Sequence, residues 1–304
     1  MYVLMNSNTL DIVYTWVNGN DPDYQQLYNR YSDKPCDINP ERYRDIYSCL
    51  KYSLRSVEKF APWVGDIYLF TRRPQYPDWL KINHPRVHLV HHDELIDECY
   101  LPTFSSNVIE TFLHEIPNRS EYLLYMNDDY LFGNHVNMED FIDSEGKIRI
   151  YKRILGERFG FRVYDQKNEL VSIGRLEHIP ILIHKPTWHE MLRGHESSLH
   201  QTRLNRFRHD NDLKMDKLYK YHMLKHKSDR SIPVPFYKTL GISTFHKITN
   251  DYEGQCRKIR NISRKQPKFL CLNDDQRDNP DQRVTNMVKE FLDTCYPEPS
   301  EFEL

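Results

Sequence analysis

An α/β fold, with a mostly parallel central sheet and flanking helices, is predicted by three features of this 304-residue chain. Short runs of β-branched and aromatic residues alternate with stretches whose apolar residues recur every three or four positions, a β-α-β-β-α-β series up to residue 134. The helical stripes stop before prolines, at Pro62 and Pro117. Residues 122–126 form an apolar run with the length of a buried strand, and Asn127, Asp128 and Asp129 follow it abruptly. Ligands bind at the carboxyl ends of strands in open α/β sheets, so the acids arrive where a site is expected.

In chain order, residues 10–17 (Leu-Asp-Ile-Val-Tyr-Thr-Trp-Val) have strand composition and break at Asn18-Gly19-Asn20-Asp21-Pro22. Residues 24–31 are too polar for the returning strand of an Asn-Gly hairpin, so the break reads as a ligand-facing loop. Gly19 there permits close backbone approach to a base or phosphate, and Asp21 can accept from a ribose hydroxyl or assist a metal. Residues 33–42, with Pro35, Asp37, Asn39 and Pro40, are a loop. From Tyr43 onward Ile46, Leu50, Leu54, Val57 and Ala61 trace one helical stripe; on spacing alone Arg44, Asp45 and Arg55 belong to its solvated face. Residues 66–71 and 86–92 are the second and third strands. His91, His92 and Asp93 mimic a metal cluster, but adjacent side chains on a strand point to opposite faces, so strand-end histidines are the better account. Val108, Ile109, Phe112, Leu113 and Ile116 predict an amphipathic helix, with Ser106 and Asn107 at an N-terminus suited to a phosphate.

Beyond the acids, residues 135–175 read as a β-rich insertion interrupted by Gly156, Gly160 and Gly174. His178 and His184 flank a short apolar run, and most such histidines are structural. Residues 203–230 are rich in Lys and Arg, with Arg208 and Asp212 just before a helix predicted over 212–226; a solvated face competes there with phosphate binding by Arg. Residues 241–269 show weak periodicity. The apolar residues 269–272 then repeat the central pattern, leading into Asn273, Asp274 and Asp275. Val284, Met287, Val288, Phe291, Leu292 and Cys295 make a final helix that stops before Pro297. The organisation expected is an α/β core over 1–134, an insertion and second lobe over 135–235, and a C-terminal segment over 236–304 returning to the core.

A formal net charge of −2 gives no general attraction to nucleic acid. Six cysteines without Cys-x-x-Cys spacing, in a chain large enough to build its own core, read as reduced packing residues. Neither a leader-like N-terminus nor a run of about 18 apolar residues is present, so the expectation is a cytoplasmic protein, at most peripherally associated with the inner face of a membrane. The 21 tyrosines are compatible with stacking on carbohydrate. Two carboxylates about 4 Å apart repel by roughly 4 kcal/mol at an effective dielectric near 20. Asp128 and Asp129 therefore call for a divalent ion, Mg²⁺ or Mn²⁺, unless they merely cap a helix or face water.

Four blocks carry a family resemblance. Residues 11–19 (Asp-Ile-Val-Tyr-Thr-Trp-Val-Asn-Gly), 52–58 with Ala61-Pro62-Trp63, 101–107 (Leu-Pro-Thr-Phe-Ser-Ser-Asn) and 125–129 (Tyr-Met-Asn-Asp-Asp) resemble conserved blocks of the Stealth family. That family contains bacterial capsule polysaccharide phosphotransferases and the catalytic subunit of the lysosomal-enzyme N-acetylglucosamine-1-phosphotransferase. A third region is weakest, around His178 and residues 208–212, and a fourth runs from Phe269 to Asp274 and ends in Pro297-Glu298-Pro299-Ser300. Residues 44–50 depart from the family pattern, with Ile46-Tyr47-Ser48-Cys49 and one extra residue.

The resemblance implies a Rossmann-like, GT-A-like core. It also implies transfer of a hexose- or N-acetylhexosamine-1-phosphate from a nucleotide diphosphate sugar, uridine-linked, to a glycan or polysaccharide hydroxyl, with release of the nucleoside monophosphate. On that reading Asp128, Asp129 and Asn273 hold Mg²⁺ or Mn²⁺, Arg208 stabilises the phosphoryl oxygens, His178 is the base, and Asp45 joins Asp129 among the catalytic groups. Trp16, Asn18, Gly19, Asp21, Arg55, Ser106, Asn107, Asn127 and Asp212 contact substrate. The competing readings are a metal-dependent glycosyltransferase, which would release the nucleoside diphosphate, and a non-catalytic sugar-nucleotide-binding module.

Overall fold

Leu10, Ile12, Val13 and Tyr14 of β1 (Leu10–Trp16) are all fully enclosed, as a strand apolar on both faces requires. The computed structural model describes residues 9–32, 45–151, 161–164, 170–173, 178–277 and 279–304. In it β1 pairs in parallel with β2 (Val64–Thr71) on one side and with β4 (Tyr122–Asn127) on the other. Beyond β2 lies β3 (Val87–His91), also parallel, and beyond β4 lies antiparallel β9 (Ile181–His184), giving the order β3-β2-β1-β4-β9. The chain thus runs outward from β1 through β2 and β3 and then jumps back to the other side of β1. That reversal opens a crevice beyond the carboxyl ends of β1 and β4.

A second, smaller sheet meets the first at this point. β5 (Tyr130–Phe132) pairs antiparallel with β12 (Phe269–Asp274), which pairs in parallel with β11 (Ser243–Ile248). Asp128 and Asp129 are the turn between β4 and β5, so the hinge between the two sheets is itself acidic. Three turns of helix, Cys49–Phe60, fasten this hinge. Leu50, Leu54 and Val57 enter the main core, each such side chain contributing roughly 1.5–3 kcal/mol. Ser53 and Ser56 are buried on the same helix; Ser53 Oγ donates to the Tyr130 carbonyl at 2.6 Å, and Phe132 N donates to Ser56 Oγ at 2.9 Å. Without partners each hydroxyl would cost about 1–3 kcal/mol, so the bonds both satisfy the serines and hold β5 in register. At Gly133 a Cβ would stand 2.5 Å from the Pro267 carbonyl oxygen, which reserves the position for glycine.

The strands β1 to β4 and β12 and the last helix (Gln282–Cys295) lie where the sequence puts them, within a few residues, while the helix expected from Tyr43 starts, among the described residues, at Cys49. Elsewhere the structure differs. Residues 24–31, excluded as a returning strand and assigned no element from sequence, belong to the helix Pro22–Tyr31, with Pro22 in its first turn and Tyr24 and Tyr28 packed against Phe104. The single helix expected over 108–116 is a short α-helix, Ser106–Glu110, and a 3₁₀ turn, Leu113–Glu115. The helix expected from residue 212 starts at Met215 and ends at His226. Residues 241–269, which looked irregular, contain β11 and the helix Tyr252–Lys265.

The insertion does contribute strands. β6 (Ile148–Tyr151) pairs in parallel with β10 (Ser231–Val234), and β7 (Phe161–Tyr164) pairs antiparallel with β8 (Leu170–Ile173). The loop at 33–42, Tyr43, Arg44, Gly156, Gly160 and Gly174 lie outside the described residues. His92 is a buried strand-end histidine set edge-on to Phe70, and Asp93 pairs with Arg73, so the adjacent His-His-Asp run forms no chelate. The five described cysteines are free thiols. No helix among the described residues is long and apolar enough to cross a membrane.

Candidate active site

A cleft of about 440 Å³ occupies the crevice. Its floor is made by the ends of β1 and β4, through Thr15, Trp16 and Asn127, and by the Asp128–Asp129 turn. β12 adds Asn273 and Asp274 from the smaller sheet. Asp45 enters from the turn before the Cys49–Phe60 helix, where its Oδ1 accepts from Cys49 N at 2.7 Å. Three carboxylates thus approach one another, two from the hinge and one from a helix start.

Their surroundings make full ionisation costly. Burial pushes the Asp128 carboxyl well above the usual range, and Asp129 and Asp45 push it further. Asp45 is also raised, chiefly by burial, although hydrogen bonds from the backbone of Cys49 and Ser48 and the nearby Lys289 oppose the change. Asp129 is held differently. Its backbone carbonyl accepts from Leu272 N at 3.0 Å, and its Oδ2 accepts from Cys271 Sγ at 3.3 Å and from Asn273 Nδ2 at 3.4 Å. Its Oδ1 is buried with no hydrogen-bond partner among the described residues. A buried carboxyl oxygen without a partner beside a second acid that resists ionisation fits a divalent cation, which would satisfy both. Asn273 turns its amide nitrogen to Asp129, so it is a donor in this arrangement and would offer oxygen to a cation only after an amide flip.

His178 completes the floor. Its ring lies edge-on between Tyr130 at 4.9 Å and Phe245 at 5.2 Å, and its ligand nitrogen, an Asp129 oxygen and Cys271 Sγ all lie within 4.8 Å of one another. Burial lowers its pKa, although Asp129 and Asp216 pull the other way. A neutral imidazole can accept a proton, which a cationic one cannot.

The lining also carries a cation. Arg208 donates to Ser106 Oγ, and both line the cleft. Asp212 does not; it is buried behind Arg208, accepting from Asn107 Nδ2 at 2.8 Å, Asn205 Nδ2 at 2.7 Å and His209 N at 2.8 Å. Asn107 and Asp212 therefore brace the loop that presents Arg208 rather than touching the cavity, because their polar atoms are spent on each other.

Other expected contacts move as well. Arg55 is turned away from the cleft, donating from Nε and Nη2 to the two Glu303 oxygens at 2.7 Å each, so it secures the C-terminal segment. Asp21 caps the Pro22–Tyr31 helix by accepting from Tyr24 N at 2.9 Å. Asn18 exchanges two bonds with Gln75, and Gly19 is buried with its carbonyl accepting from Gln25 Nε2. These three shape the turn after β1 and do not border the cavity. Trp16 does border it, and its Nε1 is a buried donor without a partner among the described residues.

Among the lining residues that the sequence did not single out are three charged ones, Glu110, Lys247 and Arg277. Glu110 borders the cleft with Arg208, and Tyr125 Oη donates to it at 3.3 Å. Burial and Asp216 push it up to about 7, with Arg208 opposing. On the amphipathic helix its position reads as an ordinary polar face, so periodicity carries no signal for it. Lys247 and Arg277 both pair with Asp275, at 3.3 and 3.1 Å; Lys247 lies in the stretch whose weak pattern hid β11, and Arg277 follows β12.

Stealth protein conserved region 1 matches residues 9–36, conserved region 2 matches 42–150, and conserved region 4 matches 260–304. The capsular polysaccharide phosphotransferase WcwK of Streptococcus pneumoniae is 30% identical over 97% of this chain and 99% of its own length. An exopolysaccharide phosphotransferase of Streptomyces coelicolor is 31% identical over 97% of this chain but only 52% of its own, so the chain spans about half the length of that relative. Among solved structures, the glycosyltransferase GlyE of Streptococcus pneumoniae TIGR4 is similar with a TM-score of 0.45 and 12% identity, over 93% of this chain and 60% of that one.

Proposed function

We propose, from the premise that the chain belongs to the Stealth family, that it is a phosphotransferase of surface or capsular polysaccharide synthesis. It moves a hexose- or N-acetylhexosamine-1-phosphate from a uridine-linked nucleotide diphosphate sugar to a glycan hydroxyl. The observation that carries the reading is one cleft lined both by the half-buried acids Asp128 and Asp129 and by the Arg208 guanidinium. Phosphoryl transfer asks a protein for charge neutralisation and in-line positioning more than for covalent participation, and that combination of charges suits a diphosphate.

Mg²⁺ or Mn²⁺ bound by Asp128 and Asp129 would neutralise the diphosphate oxygens. Trp16 offers its unpartnered Nε1 to the donor, while Arg208, oriented by the Asn107–Asp212 brace, takes the phosphoryl oxygens facing it. His178 accepts the acceptor hydroxyl's proton as that oxygen bonds to the sugar-linked phosphorus. The bond from this phosphorus to the bridging oxygen breaks, and nucleoside monophosphate departs with the electron pair. General-base assistance of this kind is worth roughly 10²–10⁴-fold.

The test is product analysis with uridine diphosphate hexoses, a panel of capsular oligosaccharides and Mg²⁺. Uridine monophosphate with a new phosphodiester is the expected outcome. Uridine diphosphate with a new glycosidic bond would transfer the protein to the glycosyltransferase reading, and tight donor binding without turnover would leave only a binding module. Asp129→Asn should lower turnover by about 10²-fold or more with an unchanged circular dichroism spectrum.

A further inference from the structure

On a part of the molecule that does not border the cleft, a second set of metal-ligating side chains meets. His114 and Glu115 stand on the 3₁₀ turn Leu113–Glu115, and His189 stands on the helix Lys185–Arg193 that packs against it. One ligand atom from each residue lies within 4.8 Å of the others. His114 Nε2 is 2.9 Å from Glu115 Oε1, and the two histidine rings are 5.5 Å apart between centroids. The cationic neighbours are otherwise committed: Lys185 Nζ donates to the Ile116 carbonyl and to Asn118, and Arg203 Nε to Thr111 Oγ1.

From this geometry we propose that His114, Glu115 and His189 form a transition-metal site of the Zn²⁺ class, separate from the catalytic cleft, that staples the Lys185–Arg193 helix to the turn before β4. Two imidazoles and one carboxylate are a recognised three-ligand set for zinc, with water in the fourth position, whereas Mg²⁺ prefers oxygen ligands throughout. Zinc–nitrogen and zinc–oxygen bonds of about 2.0–2.2 Å set tetrahedral ligand atoms roughly 3.3–3.5 Å apart, which leaves only a modest gap to adjust from atoms that stand within 4.8 Å of one another. Glu115 and His189 are exposed and can rotate to close that gap, while His114, which is more enclosed, supplies the fixed point. Linking residues about 75 positions apart in sequence removes freedom from the unfolded chain as well as holding the folded one.

The full chain, stripped by chelation and then supplied with excess Mg²⁺ to fill the cleft, is titrated with Co²⁺ and with Zn²⁺. Wild type should take up one Co²⁺ with visible d–d bands of a nitrogen–oxygen site and no sulfur charge-transfer band; that band would instead mark Cys271 in the cleft. The bands should persist in Asp129→Asn and be lost in His189→Ala, with Zn²⁺ affinity falling roughly 10–100-fold or more. Zn²⁺ should raise the melting temperature of wild type and of Asp129→Asn, but not of His189→Ala. Because His189 is exposed its removal leaves the fold intact, and Glu115→Gln, which keeps side-chain size, should behave in the same way. Bands and stabilisation that survive both His189→Ala and Glu115→Gln, or that vanish in Asp129→Asn, or that never arise in wild type, would overturn the site. None of these readouts depends on the reaction proposed for the cleft.

Discussion

Asp128 illustrates how a single residue can be built for a ligand at the expense of the fold. Its folded pKa lies above its ordinary value because of burial, then Asp129 and Asp45, so the folded state binds more protons than the unfolded one above the normal carboxylate range. Its contribution to stability is therefore present at low pH and lost as pH rises through the raised value. At pH 7.5 without divalent cation, Asp128→Asn should melt higher than wild type, and added Mg²⁺ should stabilise wild type and not the variant. Melting curves with and without Mg²⁺ check both; a variant that melts lower would sink the idea. His178 is shifted in the opposite direction, chiefly by burial. If it takes the acceptor's proton, the acidic limb of kcat/KM should fall at a pH below the ordinary histidine value of about 6.5. The acid pair was legible because it follows a strand signal, whereas His178 was singled out only by the family resemblance. Glu110 was not legible, since only folding brings its carboxylate to the cleft that Arg208 also lines.

At the scale of elements, the C-terminal segment is held to the Cys49–Phe60 helix by Arg55 and Glu303, both largely buried. Burial alone would raise Glu303, but bonds from Arg55 and the Ser300 backbone override it and hold the carboxyl at about 2. Removing one partner of a buried pair leaves an uncompensated charge and typically costs about 3–5 kcal/mol. Glu303→Ala should lower the urea midpoint accordingly and leave KM for donor unchanged in the molecules that remain folded, which separates a structural Arg55 from a substrate-binding one. The Pro22–Tyr31 helix shows why composition misled. Its sequence is polar, and its stability rests on Tyr24 and Tyr28, one turn apart, meeting Phe104 and Phe207 from distant segments. Asp21→Ala removes the cap and should cost about 1 kcal/mol by denaturant unfolding.

For the molecule as a whole, buried histidines set the acid side of the stability curve. His92 is pushed down to about 3 and His114 and His222 to about 4, in each case mainly by burial, and His91, His178, His184 and His246 are lowered as well. Between these values and about 6.5 the unfolded chain binds more protons than the folded one. Stability from these groups is thus complete above about 6.5 and lost as pH falls through the folded values. Asp45, Asp128 and Glu110 act in the opposite sense, but seven lowered histidines outnumber three raised acids among the described residues. Unfolding free energy from urea titrations should be lower at pH 5.0 than at pH 7.0; an equal or higher value would show that the acids dominate.

The α/β class, the central strands and the strand-end acids were determined by the sequence, because burial imposes a period on apolar residues and a strand's carboxyl end is where a buried run gives way to charge. The family blocks were readable for the same reason: they are contiguous. Tertiary structure alone decided that Arg55 and Asp21 serve the scaffold, that Asp212 acts through Asn107, and that Glu110, Lys247 and Arg277 border the cleft. Those assignments depend on which distant groups compete for each charge or hydrogen bond, and that competition exists only after the two sheets have met.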